Sequence, residues 1–231
     1  PKSMQSSDIH ASKLALLSAV KPIAPNAIAS HAVRGQYLGY LKDVNNHASV
    51  AETYAALRLT IDTPRWKNVP VLVRTGKALA EKVTEITLVF RDKKGSDEHQ
   101  NTLTLRIQPN EGISIELQAK KPGFDSDSET VQMDFCYARS GQPVHPDAYE
   151  RVLVDAMRGD KTLFATSDEV LASWKIVEHV IHAWSMSGHG MSGYDKGSWG
   201  PAAADELAER AGTDWVSQRL RICPVHTREE S

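Results

Sequence analysis

Two lysines five residues apart are the side chains in this sequence best suited to bind an anion. An apolar run at 69–73 is followed by Arg74, Thr75, Gly76 and then Lys77. Lys82 precedes a second apolar run at 85–90. An ammonium group supplies a point charge, and a glycine lets backbone N–H groups approach an oxyanion. The pattern predicts an anion site on a connection between strands. Alternatively, both lysines are solvated loop residues, as most lysines are.

Gln108 is the third candidate. Alternation places it with Arg106 on the polar face of a strand, directly before a turn at 109–112. A side-chain amide there can donate to a sugar hydroxyl or to a phosphate. Lys77, Lys82 and Gln108 therefore suit a phosphorylated, hydroxyl-rich molecule. The alternative for Gln108 is an ordinary polar residue on a wet sheet face, and the residue types alone do not bring the three together.

The elements that must position these residues are predicted to be strands first and helices later. Apolar residues alternate with polar ones over 57–61, 86–90, 103–107, 113–117 and 131–135. Short polar loops join several of these runs, which favours antiparallel pairing with one covered face. Helical spacing follows after residue 146, so the order indicates an α+β fold.

The helix signals are local and specific. Ser7 is predicted to cap a first helix, and Pro146 and Asp147 to open another that Gly159 ends. Thr166 and Glu169 form a capping-box pattern for a longer helix that carries Trp174 and Trp184 as core or interface residues, and Pro201 begins a short helix. Residues 185–200, rich in glycine and serine, are predicted to be a loop.

Composition excludes several classes of protein. The 231 residues make one large domain or two small ones, and a net charge of −2 argues against a nucleic-acid partner. No run is long and apolar enough to span a membrane, and the first residues lack a signal-peptide pattern. A reducing, cytoplasmic location is the expectation.

Two apparent site motifs fail on context. Residues 188–193 match G-x-G-x-x-G, but they follow a predicted helix instead of a strand, so a dinucleotide fingerprint is not indicated. His179 and His182 lie three apart on one helix without an acidic or cysteine ligand nearby, and Cys136 and Cys223 have no CxxC partner. No metal site is predicted.

A series of motifs resembles the C-terminal β+α domain of the glucose-6-phosphate dehydrogenase family. The motifs occur in family order and cover nearly the whole chain: VRGQY at 33–37, ETYAA at 52–56, RTGK at 74–77, EKVTE at 81–85, LRIQPNEG at 105–112, DAYER at 147–151, DAMRG at 155–159 and GSWGP at 197–201. The resemblance implies a large, mostly antiparallel sheet with helices packed on one face. The other face would mediate contact between subunits of a homo-oligomer, a dimer or tetramer. The polar positions Arg58, Thr60 and Arg106 would then form a wet interface.

The resemblance also implies a function for the three candidates. Lys77, Lys82 and Gln108 match residues that bind glucose 6-phosphate in the family: the lysines would neutralise the phosphate and the amide would bond sugar or phosphate oxygens. The family oxidises the sugar at its anomeric carbon to 6-phosphogluconolactone and reduces NADP, in the oxidative pentose phosphate pathway.

Departures from the family pattern limit what the chain can do. The N-terminal Rossmann coenzyme domain, the RIDHYLGKE segment and the aspartate–histidine pair of the general base do not occur in residues 1–231. The whole chain is therefore interpreted as a C-terminal substrate-binding and oligomerisation domain, inactive alone, with NADP held mainly by the absent domain. No catalytic or cofactor-binding residue is assigned. Arg74 and Arg106 match arginines of a second, structural NADP site in some members, but Trp199 stands where those members carry an arginine.

A second hypothesis uses the same residues differently. The chain could be a free-standing, non-catalytic module that binds sugar phosphates or assembles with the dehydrogenase. The two hypotheses separate on the reading frame: the first predicts a glycine-rich nucleotide fold upstream, and the second a complete gene of this length.

Overall fold

The computed structural model describes residues 1–91, 100–122, 128–137, 148–186 and 190–216. Its helices are α1 (Ser6–Ser18), α2 (Ile28–His31), α3 (Tyr40–Asp43), α4 (Ala148–Arg158), α5 (Ser167–Met186) and α6 (Ala202–Glu209). Its strands are β1 (Val20–Lys21), β2 (Ala32–Tyr37), β3 (Tyr54–Ile61), β4 (Pro70–Gly76), β5 (Thr84–Val89), β6 (Thr102–Gln108), β7 (Gly112–Lys120), β8 (Ser128–Cys136) and β9 (Ser192–Tyr194). The mixture of antiparallel sheets and helices confirms the α+β class.

The chain divides into two compact units. The first unit consists of residues 1–81 and 146–215, and the second of residues 82–145 and 216–231. Each described unit has its own sheet. The single large sheet expected from the sequence is thus divided into one sheet of five strands and one of four.

The sheet of the first unit has the order β1-β3-β2-β9, with β4 also paired to β3. The pairs are antiparallel except for β2 and β9, which run parallel. Strand β9 lies inside the segment 185–200 that was predicted to be a loop, and that prediction is wrong for Ser192–Tyr194. Three residues rich in serine and glycine carry no alternation signal, and pairing with β2 creates the strand.

Helices cover both faces of this sheet. Alternate residues of β3 point to opposite sides: Tyr54 and Ala56 pack with Leu207 of α6, whereas Leu57 packs in a cluster with Val180 of α5. In the first unit, helices thus pack on both sides of the sheet, with α6 on one side and α5 on the other. Burial on both sides also explains why the apolar run of β3 continues beyond strict alternation.

Local signals set the ends of the helices well but not perfectly. The backbone N–H of Glu169 donates to Thr166 Oγ1 at 3.3 Å and the backbone N–H of Thr166 donates to Glu169 Oε2 at 3.1 Å, which confirms the capping box of α5. Gly159, at a φ of 70°, ends α4 as predicted. The N-cap of α1 is Gln5 and not Ser7, because the backbone N–H groups of Asp8 and Ile9 bond to the carbonyl of Gln5.

The sheet of the second unit, in the order β5-β6-β7-β8, is antiparallel throughout and buries polar side chains of its two central strands. Thr104 and Ser114 are 0% and 1% exposed, and Arg106 lies 3.2 Å from Glu85 in a buried ion pair. The opposite face carries apolar side chains, of which Ile86 is 54% and Met133 50% exposed. Alternation correctly predicts two distinct faces in this sheet.

Of the side chains predicted to form a wet interface, Thr60 is exposed, whereas Arg58 and Arg106 bond to groups within the chain. The interface itself stays a prediction. The side chain of Arg106 is buried and paired with Glu85, and the guanidinium of Arg58 donates to the carbonyl of Arg210 at 3.2 Å. These arginines satisfy groups within their own units. In the second sheet, the exposed apolar side chains lie on the face opposite to Arg106.

Candidate functional site

Lys77 extends from a backbone that is held against β3. Strand β4 ends at Gly76, which pairs with Tyr54, and a Cβ at Gly76 would lie 2.8 Å from Tyr54 Cδ2. A glycine is required there because the turn passes directly over the tyrosine ring. The backbone N–H of Lys77 then donates to the carbonyl of Thr53 at 2.8 Å, while the side chain of Lys77 is exposed.

The strand that leads to Lys77 is fixed by aromatic side chains. The guanidinium of Arg74 lies 4.9 Å from the ring centroid of Trp199 and 4.5 Å from that of Trp215, so two indoles hold it by cation–π interactions. Burial raises the pKa of Tyr54 to about 12, although the nearby Arg74 opposes this rise. Tyr54 therefore stays neutral at any physiological pH beneath the turn.

Lys82 and Gln108 lie at the same end of the second unit's sheet. Gln108, the last residue of β6, is paired with Thr84 of β5, and its amide donates to Thr84 Oγ1 at 3.4 Å. Lys82 lies two residues before Thr84, and the side chains of Lys82 and Gln108 are both exposed. The register thus brings a positive charge and an amide to one edge, where they can act on one anionic molecule.

The three predicted residues are divided between the units. Lys82 and Gln108 belong to the second unit, and Lys77 belongs to the first, which ends its first segment at Glu81. Among the described residues, no partner is recorded for the ammonium groups of Lys77 and Lys82. Exposed lysines of this kind fit both a binding role and the solvated alternative, so the role of each remains a prediction.

The sequence analysis missed Tyr194, the last residue of β9. Its ring is only 4% exposed and lies 5.6 Å, centroid to centroid, from the ring of Tyr54 beneath the turn that carries Lys77. Tyr194 stands in a stretch rich in glycine and serine without alternation of apolar and polar positions, so the sequence carries no signal of a strand there. The G-x-G-x-x-G match lies partly outside the described residues, and its last residues enter β9 instead of opening a helix.

Other candidate sites remain without support in the described part of the chain. His179 and His182 are exposed on α5, Trp184 is buried in the core as predicted, and Trp174 is 58% exposed. In the described ranges, no group of three or more potential metal ligands occurs. Likewise, none of the described helices is long and apolar enough to cross a membrane.

Comparison with known proteins decides the family. Residues 1–216 match the family model described as glucose-6-phosphate dehydrogenase, C-terminal domain. The chain belongs to this family. The matched range includes all described residues and the three predicted ligands Lys77, Lys82 and Gln108.

Curated relatives within the glucose-6-phosphate dehydrogenase family agree. Glucose-6-phosphate 1-dehydrogenase from Gluconobacter oxydans is 40% identical over 93% of this chain, and the one from Rhizobium meliloti is 35% identical over 93%. This chain covers 47% and 48% of those two proteins. It therefore spans about half the length of the curated relatives that it matches.

Solved structures of the family show the same fold. Glucose-6-phosphate 1-dehydrogenase from Mycobacterium avium superposes with a TM-score of 0.78 at 32% identity and covers 94% of this chain and 46% of its own. A glucose-6-phosphate dehydrogenase solved in complex with its substrate glucose-6-phosphate gives a TM-score of 0.80 at 30% identity, over 93% of this chain and 46% of its own.

Proposed function

We propose that this chain is the substrate-binding half of an NADP-dependent glucose-6-phosphate dehydrogenase that acts in the cytoplasm. The observation that carries the proposal is the anchored turn of Lys77 in a chain that belongs to this family. The complete enzyme would oxidise D-glucose 6-phosphate to 6-phosphogluconolactone. In that reaction a hydride leaves the anomeric carbon for NADP and a proton leaves its hydroxyl group.

Within this scheme the chain binds and orients the sugar. The ammonium groups of Lys77 and Lys82 neutralise phosphate charge, and the Gln108 amide donates to a sugar or phosphate oxygen. Fixing the phosphate end limits the motion of the hexose, so that the anomeric carbon is presented for reaction. The hydride acceptor and the base are not assigned to residues of this chain.

The described residues of this chain do not form a fold that fits the coenzyme. The described part of the chain has no strand that runs through a glycine-rich turn into a helix, the arrangement that holds a pyrophosphate. The guanidinium of Arg74, a candidate for a second NADP, already contacts the rings of Trp199 and Trp215 at 4.9 Å and 4.5 Å from their centroids. We therefore assign NADP binding and proton abstraction to residues of the complete enzyme other than those that the structure describes.

Replacing Lys77 by alanine in the full-length protein tests the proposal. We expect KM for glucose 6-phosphate to rise about ten- to a hundredfold, because a hydrogen bond to a charged group typically contributes about 1.5–3 kcal/mol. Steady-state kinetics at saturating NADP measures the change. Lys67→Ala, at an exposed lysine in the loop before β4, is the matched control and should leave KM unchanged. Equal KM values for both variants would remove Lys77 from the site.

Assaying the chain alone tests the division of labour. We expect no reduction of NADP with glucose 6-phosphate, because neither a base nor a coenzyme fold is assigned to these residues. Absorbance at the wavelength of the reduced nicotinamide measures the rate, with the full-length protein as the positive control. Turnover by the chain alone would contradict the assignment.

We further propose that the apolar face of the second sheet is the contact between subunits. Alternate residues of β5 to β8 present it to solvent, including Ile86, Met133 and Phe135, which are 54%, 50% and 47% exposed. Contiguous exposed apolar surface of this kind marks an interaction site. A homo-oligomer that pairs this face with its copy would remove it from water.

Neighbouring residues of β8 provide the test, because they point to opposite faces. Met133→Lys places a charge on the apolar face and should convert the oligomer of the full-length protein into monomers. Gln132→Lys, on the polar face, is the control and should leave the assembly intact. Sedimentation velocity measures both, and an unchanged oligomer in Met133→Lys would exclude this face.

A further inference from the structure

The hydroxyl of Tyr194 lies at the centre of a directed hydrogen-bond chain that ends on Lys77. The backbone N–H of Tyr37 donates to Thr53 Oγ1 at 2.9 Å, and Thr53 Oγ1 lies 2.9 Å from the Tyr194 hydroxyl. That hydroxyl lies 2.8 Å from the carbonyl oxygen of Lys77 and 3.0 Å from that of Thr53. A tyrosine hydroxyl carries one proton, so when it donates to Lys77 it accepts from Thr53.

The preference for Lys77 follows from what each carbonyl already accepts. The carbonyl of Thr53 takes the backbone N–H of Lys77 at 2.8 Å. The distance from the Tyr194 hydroxyl to the carbonyl oxygen of Lys77 is also shorter than its distance to that of Thr53. The main chain of Lys77 is thus held from both sides, its N–H by Thr53 and its C=O by Tyr194.

The residues that follow Lys77 are tied to the loop after β9. The backbone N–H of Gly197 donates to the carbonyl of Ala78 at 2.8 Å, and the N–H of Ala80 donates to the carbonyl of Ser198 at 2.8 Å. Ala78 has a φ of 51°, a conformation that a residue other than glycine adopts at a cost and keeps only where its surroundings fix it. Tyr194 and its loop therefore shape the turn as well as contacting it.

We propose that Tyr194 is a positioning residue for substrate binding, acting through the main chain of Lys77. The inference rests on the proposed function of Lys77 as a phosphate ligand. A long lysine side chain keeps its own rotamer freedom, so the part of its geometry that the fold can set is the position of its Cα. Tyr194 sets that position from a buried strand, where its hydroxyl is shielded from competing water.

Tyr194→Phe in the full-length protein is the direct test. It removes one oxygen and keeps the ring that packs on Tyr54. We expect KM for glucose 6-phosphate to rise about tenfold, with kcat within about twofold of the native value, because the lost hydrogen bond loosens binding without touching the reacting carbon. Hydrogen exchange should also quicken at the backbone amides of residues 77–80.

Tyr37→Phe is the matched control. Its ring packs edge-on against that of Tyr194 at 6.3 Å, but its hydroxyl donates to Asp43 at 3.1 Å instead of to the Lys77 turn. The same chemical change at Tyr37 should leave KM within about twofold of the native value. A general loosening of the aromatic core would raise KM in both variants and would overturn the positioning role.

Lys77→Ala, measured beside these variants, separates the two proposals. A rise in KM for both Lys77→Ala and Tyr194→Phe supports the positioning role. A rise for Lys77→Ala with none for Tyr194→Phe overturns it and leaves the function of Lys77 standing. If neither variant raises KM, the role of Lys77 as a ligand falls and this inference falls with it.

A second variant decides the matter if Tyr194→Phe does not fold. Thr53→Val removes the hydroxyl that donates to Tyr194 and accepts the backbone N–H of Tyr37. It keeps nearly the same side-chain volume, and the Thr53 carbonyl still accepts from Lys77. Because it leaves Tyr194 free to choose between two carbonyls, we expect KM to rise about threefold with kcat unchanged. A native KM in a folded Thr53→Val protein would then overturn the proposal.

Discussion

The two units bury opposite kinds of residue. In the first unit the described core consists of aliphatic and aromatic side chains, such as Tyr54, Val180 and Leu207, enclosed by helices on both faces of the sheet. In the second unit the most buried side chains are polar, Thr104, Ser114 and Arg106 among them, and the apolar alternate positions are exposed. The sheet of the first unit is therefore covered by helices on both faces, whereas the sheet of the second unit exposes an apolar face.

This difference matches the tasks that we propose for the two units. A lysine that binds a phosphate needs a backbone that does not move, and Lys77 extends from the first unit. A face that joins subunits must stay open in the single chain, and the second sheet keeps its apolar side in that state. Of the proposed ligands, Lys77 thus belongs to the unit whose sheet is covered, whereas Lys82 and Gln108 belong to the unit that carries the apolar face.

The largest effect is expected when one charge is removed from the polar interior of the second unit. Glu85→Leu should lower the free energy of unfolding by about 3–5 kcal/mol, because it leaves the buried guanidinium of Arg106 without its carboxylate. Urea unfolding followed by circular dichroism measures the loss. Adding Arg106→Met to Glu85→Leu should restore most of the stability, since no uncompensated charge then remains.

The control for this variant is Glu129→Leu, which removes an exposed carboxylate from β8. We expect a change of less than about 0.5 kcal/mol there. Equal losses of stability in Glu85→Leu and Glu129→Leu would show that the ion pair of Arg106 is not part of a buried interior. The contrast between the two units would then be contradicted.

The next effect compares apolar residues. Leu207→Ala, at a position that is 0% exposed in the first unit, should lower the free energy of unfolding by about 3 kcal/mol. Ile86→Ala, on the open face of the second unit, should lower it by less than about 1 kcal/mol when subunits are apart. Repeating the measurement across protein concentrations sharpens the comparison, because the loss for Ile86→Ala should grow only where subunits associate.

A smaller effect tests the polar side chains of the second sheet. The hydroxyls of Thr87 and Thr104 lie 3.0 Å apart, and Thr104 is 0% exposed. Thr104→Val should therefore lower the free energy of unfolding by about 1 kcal/mol, since it leaves the hydroxyl of Thr87 with one partner fewer. Thr60→Val, at an exposed position of β3, is the control. If Thr104→Val stabilises the protein, the buried hydroxyls are not needed.

Most of the elements could be predicted from the sequence because their signals are local. The capping box at Thr166, the glycine that ends α4 and the alternation over β5 to β8 each depend on residues within one element. Which face is covered depends on the whole chain, and alternation is symmetric between the two faces. For this reason the strands were predicted correctly, whereas Arg106, which was expected on a solvated face, has a buried side chain.

The candidate site divides in the same way. Lys77, Lys82 and Gln108 could be chosen from residue types and family motifs, because charge and amide groups are visible in a sequence. Tyr194 could not be chosen, since its role depends on a parallel pairing of β9 with β2 across more than 150 residues of chain. Long-range pairing leaves no mark on the three residues that form the strand.

The smallest test concerns Glu169, an acidic side chain buried in the first unit. Glu169 lies 2.8 Å from His10 Nδ1 with one oxygen and accepts the backbone N–H of Thr166 with the other. The hydrogen bond with His10, with a smaller contribution from Thr166, holds the pKa of Glu169 below its ordinary value of 4.5 although burial opposes it. A carboxyl with a lowered pKa stabilises the fold above its unfolded pKa, and this contribution is lost as the pH falls through the folded pKa.

Glu169→Gln should therefore flatten the acid side of the stability profile. Glutamine can still accept the backbone N–H of Thr166 but cannot ionise, so its unfolding midpoint should fall less than that of the native protein between about pH 5 and pH 3. Thermal unfolding at several pH values measures the slope, and Glu178→Gln, at an exposed position of the same helix, should leave it unchanged. If Glu169→Gln loses stability in acid as steeply as the native protein, the charge of Glu169 does not hold α1 to α5, and the closure of the first unit rests on apolar packing alone.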